Sequence, residues 1–153
     1  MVGKPAARLG DMTAHGTLLK PGLGSPNVMI GGKPAWRGLN PAAAAQLASL
    51  MPQNMKSIDP LTTTTDTNES ILSSEDLNQL SKNQSKLLKI MGTTDQTLCE
   101  MPVAPPHANG VVINGSSTVL INGLPACRQG DLIQETTSVN TIILGCPTVF
   151  IGG

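Results

Sequence analysis

Aromatic residues are almost absent from this chain of 153 residues, which has one tryptophan, one phenylalanine and no tyrosine. A hydrophobic core must therefore rest on valine, isoleucine, leucine and methionine. Positive charge is not in excess either, because ten lysines and arginines are balanced by ten acidic residues. Proteins that bind nucleic acids or anionic membranes need a concentrated basic patch, so the composition argues against both classes.

Long apolar runs and a disulfide framework are also missing. No run approaches the roughly 20 residues of a membrane span, and the N-terminal sequence MVGKPAARLGD lacks the apolar segment of a signal peptide. The three cysteines, Cys99, Cys127 and Cys146, are odd in number and widely spaced, which does not fit a set of disulfides. We therefore expect synthesis in a reducing cytoplasm and export, if any, by a route that reads no N-terminal signal.

One pattern recurs along the chain. It reads GSPNVMIGGKPAWRG at 24–38, GSSTVLINGLPACRQGD at 115–131 and GCPTVFIGG at 145–153. A glycine turn precedes a short β-branched strand in each copy, and the first two copies continue into Pro-Ala-x-Arg. The third copy stops there, but a matching continuation, GKPAARLGD, stands at 3–11. The sequence thus predicts a ring of three units about a pseudo-threefold axis, with the two chain ends side by side as paired strands.

Residues 39–104 interrupt this pattern and are rich in Ala, Ser, Thr, Asn and Gln. Asn40 and Pro41 are typical of an N-cap and a first helical position. A second helix is predicted between an N-cap at Ser73 and a C-cap at Gly92, and 59–70 reads as a loop. Its apolar residues, predicted to share one face, are Leu77, Leu80, Leu87, Leu88 and Met91. The insertion is either a solvated decoration or a binding arm.

The ring and the tetrapeptide PAAR at 5–8 make the chain resemble the PAAR-repeat proteins, which sharpen the spike tips of contractile injection systems, including type VI secretion. The resemblance rests on KPAARLGDMTAHG at 4–16 and on the three repeats, and it covers all of the chain except the insertion. It implies a mainly β fold: a small cone of three short-strand units, formed by 1–38 and 105–153, with a helical insertion at 39–104. The base of the cone would bind a trimeric β-helical spike protein, and a zinc ion would hold its apex. PAWR and PACR each depart from the tetrapeptide at one position.

The two histidines hold similar places in two units. His15 stands nine residues before the turn at Gly24, and His107 stands eight residues before the turn at Gly115. We expect the ring to bring them close together, and the resemblance implies that such positions bind zinc.

Further metal ligands are less evident. Glu135 aligns with His15 in the third unit, Cys99 could fold back to the apex as a thiolate, and Cys127 lies near a Gly-Asp pair. Cys146, within a base turn, should lie at the opposite end. The predicted order is His15 and His107, then Cys99, then Glu135 and Cys127. The alternative is a degenerate site in which the histidines only form hydrogen bonds.

The resemblance implies a structural role without catalysis: the protein caps the spike and sharpens it for membrane puncture. We expect a monomer on a trimer, made in the bacterial cytoplasm and delivered into or outside a target cell on firing, with no nucleic acid and no stable membrane insertion. The insertion could bind effector or baseplate proteins, which makes an effector or cargo adaptor the alternative. A zinc hydrolase built on the histidines is a third reading, but HExxH, GxSxG and a phosphate-binding loop are absent.

Overall fold

The computed structural model describes residues 2–55, 74–103 and 107–153. Within these ranges the chain forms mostly short strands and two helices. The strands are β1 Lys4–Ala6, β2 Met29–Ile30, β3 Lys33–Pro34, β4 Gln96–Cys99, β5 Ala108–Val112, β6 Leu120–Ile121, β7 Leu124–Pro125, β8 Leu132–Glu135, β9 Val139–Thr141 and β10 Cys146–Ile151; the helices are α1 Pro41–Met55 and α2 Ser74–Met91. The predicted mainly β fold with a helical insertion is confirmed. The predicted loop at 59–70 and the predicted N-cap Ser73 lie outside the described residues.

Each repeat forms an antiparallel strand pair. Strands β2 and β3 are joined through Gly31 and Gly32, and β6 and β7 through Asn122 and Gly123, all four with positive φ. Two consecutive positive φ values match the twist of paired strands, which is why Asn-Gly and Gly-Gly suit these two-residue turns. The third pair joins the two ends of the chain, because β1 pairs with β10. The predicted pairing of the ends is therefore confirmed.

The three Pro-Ala-x-Arg segments close a ring through their own backbones. The amide of Ala7 donates to the carbonyl of Cys127 (2.8 Å), that of Cys127 to Trp36 (3.0 Å), and that of Trp36 to Ala7 (3.0 Å). Bridges on either side of this triangle follow the same cyclic order: Arg8 with Ala35, Arg37 with Ala126, and Arg128 with Ala6. Three equivalent contacts in cyclic order establish the pseudo-threefold arrangement.

An arginine–aspartate pair ends each of these segments. The carboxylates of Asp11, Asp95 and Asp131 are almost fully buried, at 5%, 6% and 0% exposure. Each accepts hydrogen bonds from both the backbone amide and the guanidinium of its arginine, in the pairs Arg8–Asp11, Arg37–Asp95 and Arg128–Asp131. Charge-assisted bonds of this kind fix the arginine side chain as well as the turn after it.

The Arg37–Asp95 pair shows where the insertion enters the ring. Asp95 lies 58 residues after Arg37, whereas the other two pairs are three residues apart. Both helices fall between the two partners, and β4, which follows Asp95, pairs with β5 in the four-stranded sheet β4-β5-β8-β9. After the insertion, Asp95 therefore makes with Arg37 the same contacts that Asp11 makes with Arg8 and Asp131 with Arg128.

The turn of each unit contacts the arginine of a neighbouring unit. Arg37 Nη1 donates to Asn122 Oδ1 (3.3 Å) and Arg128 Nη1 to the carbonyl of Gly152 (3.2 Å). At the third contact, a Cβ added at Gly31 would lie 3.0 Å from Arg8 Nη1. Arg37 and Arg128 therefore join their own aspartates to the next hairpin by hydrogen bonds, and Arg8 lies close to Gly31 in the equivalent place.

Two hydrophobic clusters lie inside the ring. The first combines strand isoleucines with the first alanine of each Pro-Ala segment: Ala6, Ile30, Ala35, Ile121, Ala126, Cys146 and Ile151. The second lies around the backbone triangle and includes Ala7, Leu19, Trp36, Val112, Cys127, Ile133 and Ile142. Since only one of these side chains is aromatic, the core rests on aliphatic residues, as the composition predicts.

The two helices pack against each other and against the side of the ring. Asn40 Oδ1 caps α1 by accepting the amide of Ala43 (2.8 Å), as predicted. A third cluster joins the helices to β5: Leu39, Leu47, Met51, Leu87, Met91 and Val111. The predicted apolar face of α2 is wrong for Leu77 and Leu88, which are 52% and 57% exposed. Leu88 follows Leu87 by about 100° around the helix and cannot share its buried direction.

Neither helix, over the residues described, combines the length and the apolar character that crossing a membrane requires.

The Arg37–Asp95 pair should matter for stability although its partners lie far apart in sequence. We expect Asp95→Ala to lower the free energy of unfolding by about 3 kcal/mol, the low end for a broken buried pair, because Arg37 stays partly exposed. Glu100→Ala is the matched control, since Glu100 is an exposed acid in the same segment; it should change stability by less than about 0.5 kcal/mol. Urea denaturation measures both, and equal effects would contradict the role given to this pair.

Candidate metal site

The ring places one potential metal ligand from each unit at a common point. His15, Cys99 and Glu135 each stand four residues after the aspartate of their unit, Asp11, Asp95 or Asp131. Because the three aspartates are fixed equivalently on the ring, the three segments that follow them (residues 12–15, β4 and β8) leave it in the same way. The side chains at the fourth position therefore converge.

A fourth residue, His107, comes from outside this repeat. It directly precedes β5, whose first residue, Ala108, pairs with Cys99. The carbonyl of His107 accepts the amide of Thr136, which follows Glu135. The start of β5 is thus fixed between β4 and β8, and His107 lies between the residues that end those two strands.

Potential donor atoms of the four residues all lie within 4.8 Å of one another. The two histidine Nδ1 atoms are 3.3 Å apart, and Cys99 Sγ is 3.6 Å from each of them. Glu135 Oε2 lies 3.2 Å from His15 Nδ1 and 3.0 Å from His107 Nδ1. These two nitrogens, one sulfur and one oxygen form a possible metal-binding cluster.

The cluster is largely shielded from water. Cys99 is 4% and Glu135 1% exposed, while the histidine side chains retain 21% and 17%. Burial raises the pKa of the Cys99 thiol, and the negative charge of Glu135 raises it further. A bound cation would oppose both effects, because it favours the thiolate that ligates metals.

Two residues that the sequence analysis did not identify hold the carboxylate of Glu135. Ser138 Oγ donates to Oε2, and Asn140 Nδ2 donates to Oε1 at 2.8 Å. The backbone adds a further constraint, because the amide of Glu135 donates to the carbonyl of Ser138 (2.9 Å). The Glu135 side chain is therefore oriented by the turn between β8 and β9.

The remaining candidates lie elsewhere. Cys127, a lower-ranked predicted ligand, is fully buried in the cluster around the backbone triangle, and this burial raises the pKa of its thiol well above the usual value. Cys146 belongs to the other ring cluster, with the strand isoleucines, which agrees with the prediction that it lies at the end opposite the histidines. A hydrogen bond with Thr148 lowers the pKa of Cys146. The structure thus brings together His15, His107, Cys99 and Glu135, and leaves out Cys127.

Comparison with known proteins identifies part of this architecture. The family model described as the PAAR motif matches residues 104–153. This segment matches the PAAR motif. Neither the curated proteins nor the solved structures include a match. The resemblance to PAAR-repeat proteins, predicted from the repeats, is confirmed for this third of the chain.

The PAAR motif includes only part of the ring. It contains β5 to β10 and the cluster residues His107 and Glu135, whereas His15 and Cys99 lie outside the matched range. The cyclic backbone bonds nevertheless connect the PAAR motif to the other two Pro-Ala-x-Arg segments. The geometry of those segments follows the same pattern as that of the matched segment.

Proposed function

We propose that this protein is the structural tip of a contractile injection machine, of the type VI secretion or a related kind. In this role it caps the trimeric β-helical spike protein and sharpens it for membrane puncture. The PAAR motif supports a role at the spike tip. The observation that carries the proposal is the cyclic closure of three Pro-Ala-x-Arg segments, because one chain then presents three near-equivalent faces to three identical subunits.

Exposed apolar side chains support docking at the strand end of the ring. Met29, Leu120 and Phe150 occupy the same position of their repeats, five residues after Gly24, Gly115 and Gly145. Their exposed fractions are 57%, 61% and 57%. Burial of such side chains against a partner is favourable, and short strands at this end can be continued by strands of the spike. A trimer would cover the three positions together.

The distances among the two histidine nitrogens and the cysteine sulfur support zinc as the metal. Zinc bonds of about 2.0–2.1 Å to nitrogen and about 2.3 Å to sulfur, in a tetrahedron, place two nitrogens about 3.3 Å apart and nitrogen and sulfur about 3.6 Å apart. The histidine nitrogens are 3.3 Å apart, and Cys99 Sγ is 3.6 Å from both. His15, Cys99, His107 and Glu135 would hold the ion, which would tie the loops of all three units together at the apex.

The same donor set argues against the hydrolase reading. A catalytic zinc has three protein ligands and keeps a fourth position for water or substrate, whereas four protein donors are typical of structural zinc. Glu135, the acidic group nearest the histidines, faces them directly and receives hydrogen bonds from Ser138 and Asn140. It is placed as a ligand, so we propose that the protein acts mechanically and catalyses no reaction.

An effector or cargo adaptor is the second candidate, and the helices favour it. A groove of about 560 Å³ between α1 and α2 has Ala43, Leu50 and Ile90 beside the basic Lys86 and Lys89. An apolar groove with lysines along it suits an acidic amphipathic segment of an effector or baseplate protein. On this reading Lys86→Glu with Lys89→Glu would abolish capture of that protein and leave binding of the spike unchanged; in a tip without cargo, the double variant would change neither.

Metal content tests the apex. We expect about one zinc per purified chain by elemental mass spectrometry, and loss of this metal in His107→Ala and Cys99→Ala, because a structural zinc site depends on each ligand. The melting temperature should fall in both variants, and a chelator should lower it in the wild type. Cys146→Ala is the matched control, since it removes a buried cysteine from outside the cluster and should retain zinc. Wild-type protein without metal, or ligand variants that retain it, would contradict the proposal.

Spike binding tests the base. We expect Phe150→Glu to weaken binding to the trimeric spike protein of the same organism at least tenfold, because docking would bury an unpaired charge. Leu88→Glu on α2 is the matched control: Leu88 and Phe150 are both 57% exposed, so solubility and folding should be affected alike. Biolayer interferometry with immobilised spike measures both affinities. Equal affinities for the two variants would place the docking surface elsewhere.

A further inference from the structure

We propose that Asn140 is a positioning residue for the metal, which orients two of its ligands without binding the ion itself. The inference rests on the proposed zinc site and concerns a residue outside the donor set. Asn140 lies in the middle of β9 and is 2% exposed. A buried amide needs partners for both its oxygen and its nitrogen, so its contacts define its role.

All four of its hydrogen bonds are made. Oδ1 accepts the backbone amides of Thr141 (2.8 Å) and His15 (3.2 Å), and Nδ2 donates to Glu135 Oε1 (2.8 Å) and Thr13 Oγ1 (3.0 Å). Because the oxygen faces two N–H donors and the nitrogen faces two oxygen acceptors, the amide has one satisfactory orientation. A flipped amide would point its N–H groups at two amides and its oxygen at a carboxylate.

This orientation decides how Glu135 faces the histidines. Oε1 accepts from Asn140 and lies 3.3 Å from His15 Nδ1, while Oε2 accepts from Ser138 and lies 3.0 Å from His107 Nδ1 and 3.2 Å from His15 Nδ1. Asn140 and Ser138 therefore hold one carboxylate oxygen each. Without the Asn140 bond only Ser138 would restrain the side chain, and the carboxylate could turn away from its position facing the two histidines.

The same residue fixes the loop that carries the first histidine. Thr13 and His15 lie 127 and 125 residues from Asn140 in sequence, and Asn140 binds one on each side of Ala14. The amide of Ala14 donates in turn to the carbonyl of Thr141 (2.8 Å). Asn140 thus joins the loop that carries His15 to the strand that carries Glu135.

Substitution of Asn140 should weaken metal binding more than it weakens the fold. Partners that orient metal ligands typically contribute 10–100-fold to metal affinity. We expect Asn140→Asp to weaken zinc binding by about this factor, because a carboxylate oxygen would replace the N–H donor beside Glu135. Asn122→Asp is the matched control, since Asn122 also donates its amide to a side-chain oxygen but in a turn at the other end of the ring; its zinc affinity should not change.

The experiment uses the full chain and zinc alone, with affinities from competition with a fluorescent chelator. Cobalt substitution adds a spectroscopic readout: the visible bands of tetrahedral cobalt should weaken or shift in Asn140→Asp and stay unchanged in Asn122→Asp. Circular dichroism with chelator measures the stability of each metal-free variant separately.

A double-mutant cycle separates positioning from general destabilisation. In a Glu135→Ala background, Asn140→Ala should cost less zinc affinity than it does in the wild type, because one of the two ligands that it orients is gone and only the loop of His15 is still held. Equal losses in both backgrounds, or zinc affinity within twofold of wild type in Asn140→Asp, would overturn the inference while leaving the zinc site standing. Wild-type protein that binds no zinc would overturn the site and the inference together.

Discussion

Closure of the three Pro-Ala-x-Arg segments is the constraint on which the rest of the structure depends. Three backbone hydrogen bonds join Ala7, Trp36 and Cys127 in a cycle, so no segment can shift along the axis without breaking two of them. The buried aspartates then fix the three arginines, and two of these, Arg37 and Arg128, donate hydrogen bonds to the neighbouring turns. A core with so few aromatic side chains buries little apolar surface. The cyclic hydrogen bonds therefore help to fix the relative positions of the three segments.

The ring also explains how a long insertion is tolerated. Loop-closure entropy rises slowly with length, and Asp95 forms with Arg37 the pair that residues three apart make in the other two units. Cys99 follows Asp95 at the same distance as His15 follows Asp11. The insertion therefore ends by placing a potential metal donor, and its helices lie against β5 on the side of the ring.

Much of this architecture could be predicted because it repeats. Three copies of one pattern indicate the ring, and the split third copy indicates that the chain ends pair. Cys99 was predicted only as a thiolate that could fold back to the apex, although its spacing from Asp95 equals that of His15 from Asp11 and of Glu135 from Asp131. That signal is visible in the sequence once Asp95 is aligned with the other two aspartates.

Other features leave no such trace. Asn140 lies in a strand of three residues, and its proposed positioning role depends on hydrogen bonds to Thr13 and His15, which are more than 120 residues away in sequence. Cys127 stands close to a Gly-Asp pair in sequence, but the ring places its side chain in the core.

X-ray absorption at the zinc edge tests most directly whether the three segments that end in His15, Cys99 and Glu135 converge on one ion. One sulfur at about 2.3 Å and three nitrogen or oxygen donors at about 2.0–2.1 Å are expected, because Cys99 is the single thiolate beside two imidazoles and one carboxylate. A shell without sulfur, or one of five or six light donors, would contradict the proposed site of His15, Cys99, His107 and Glu135.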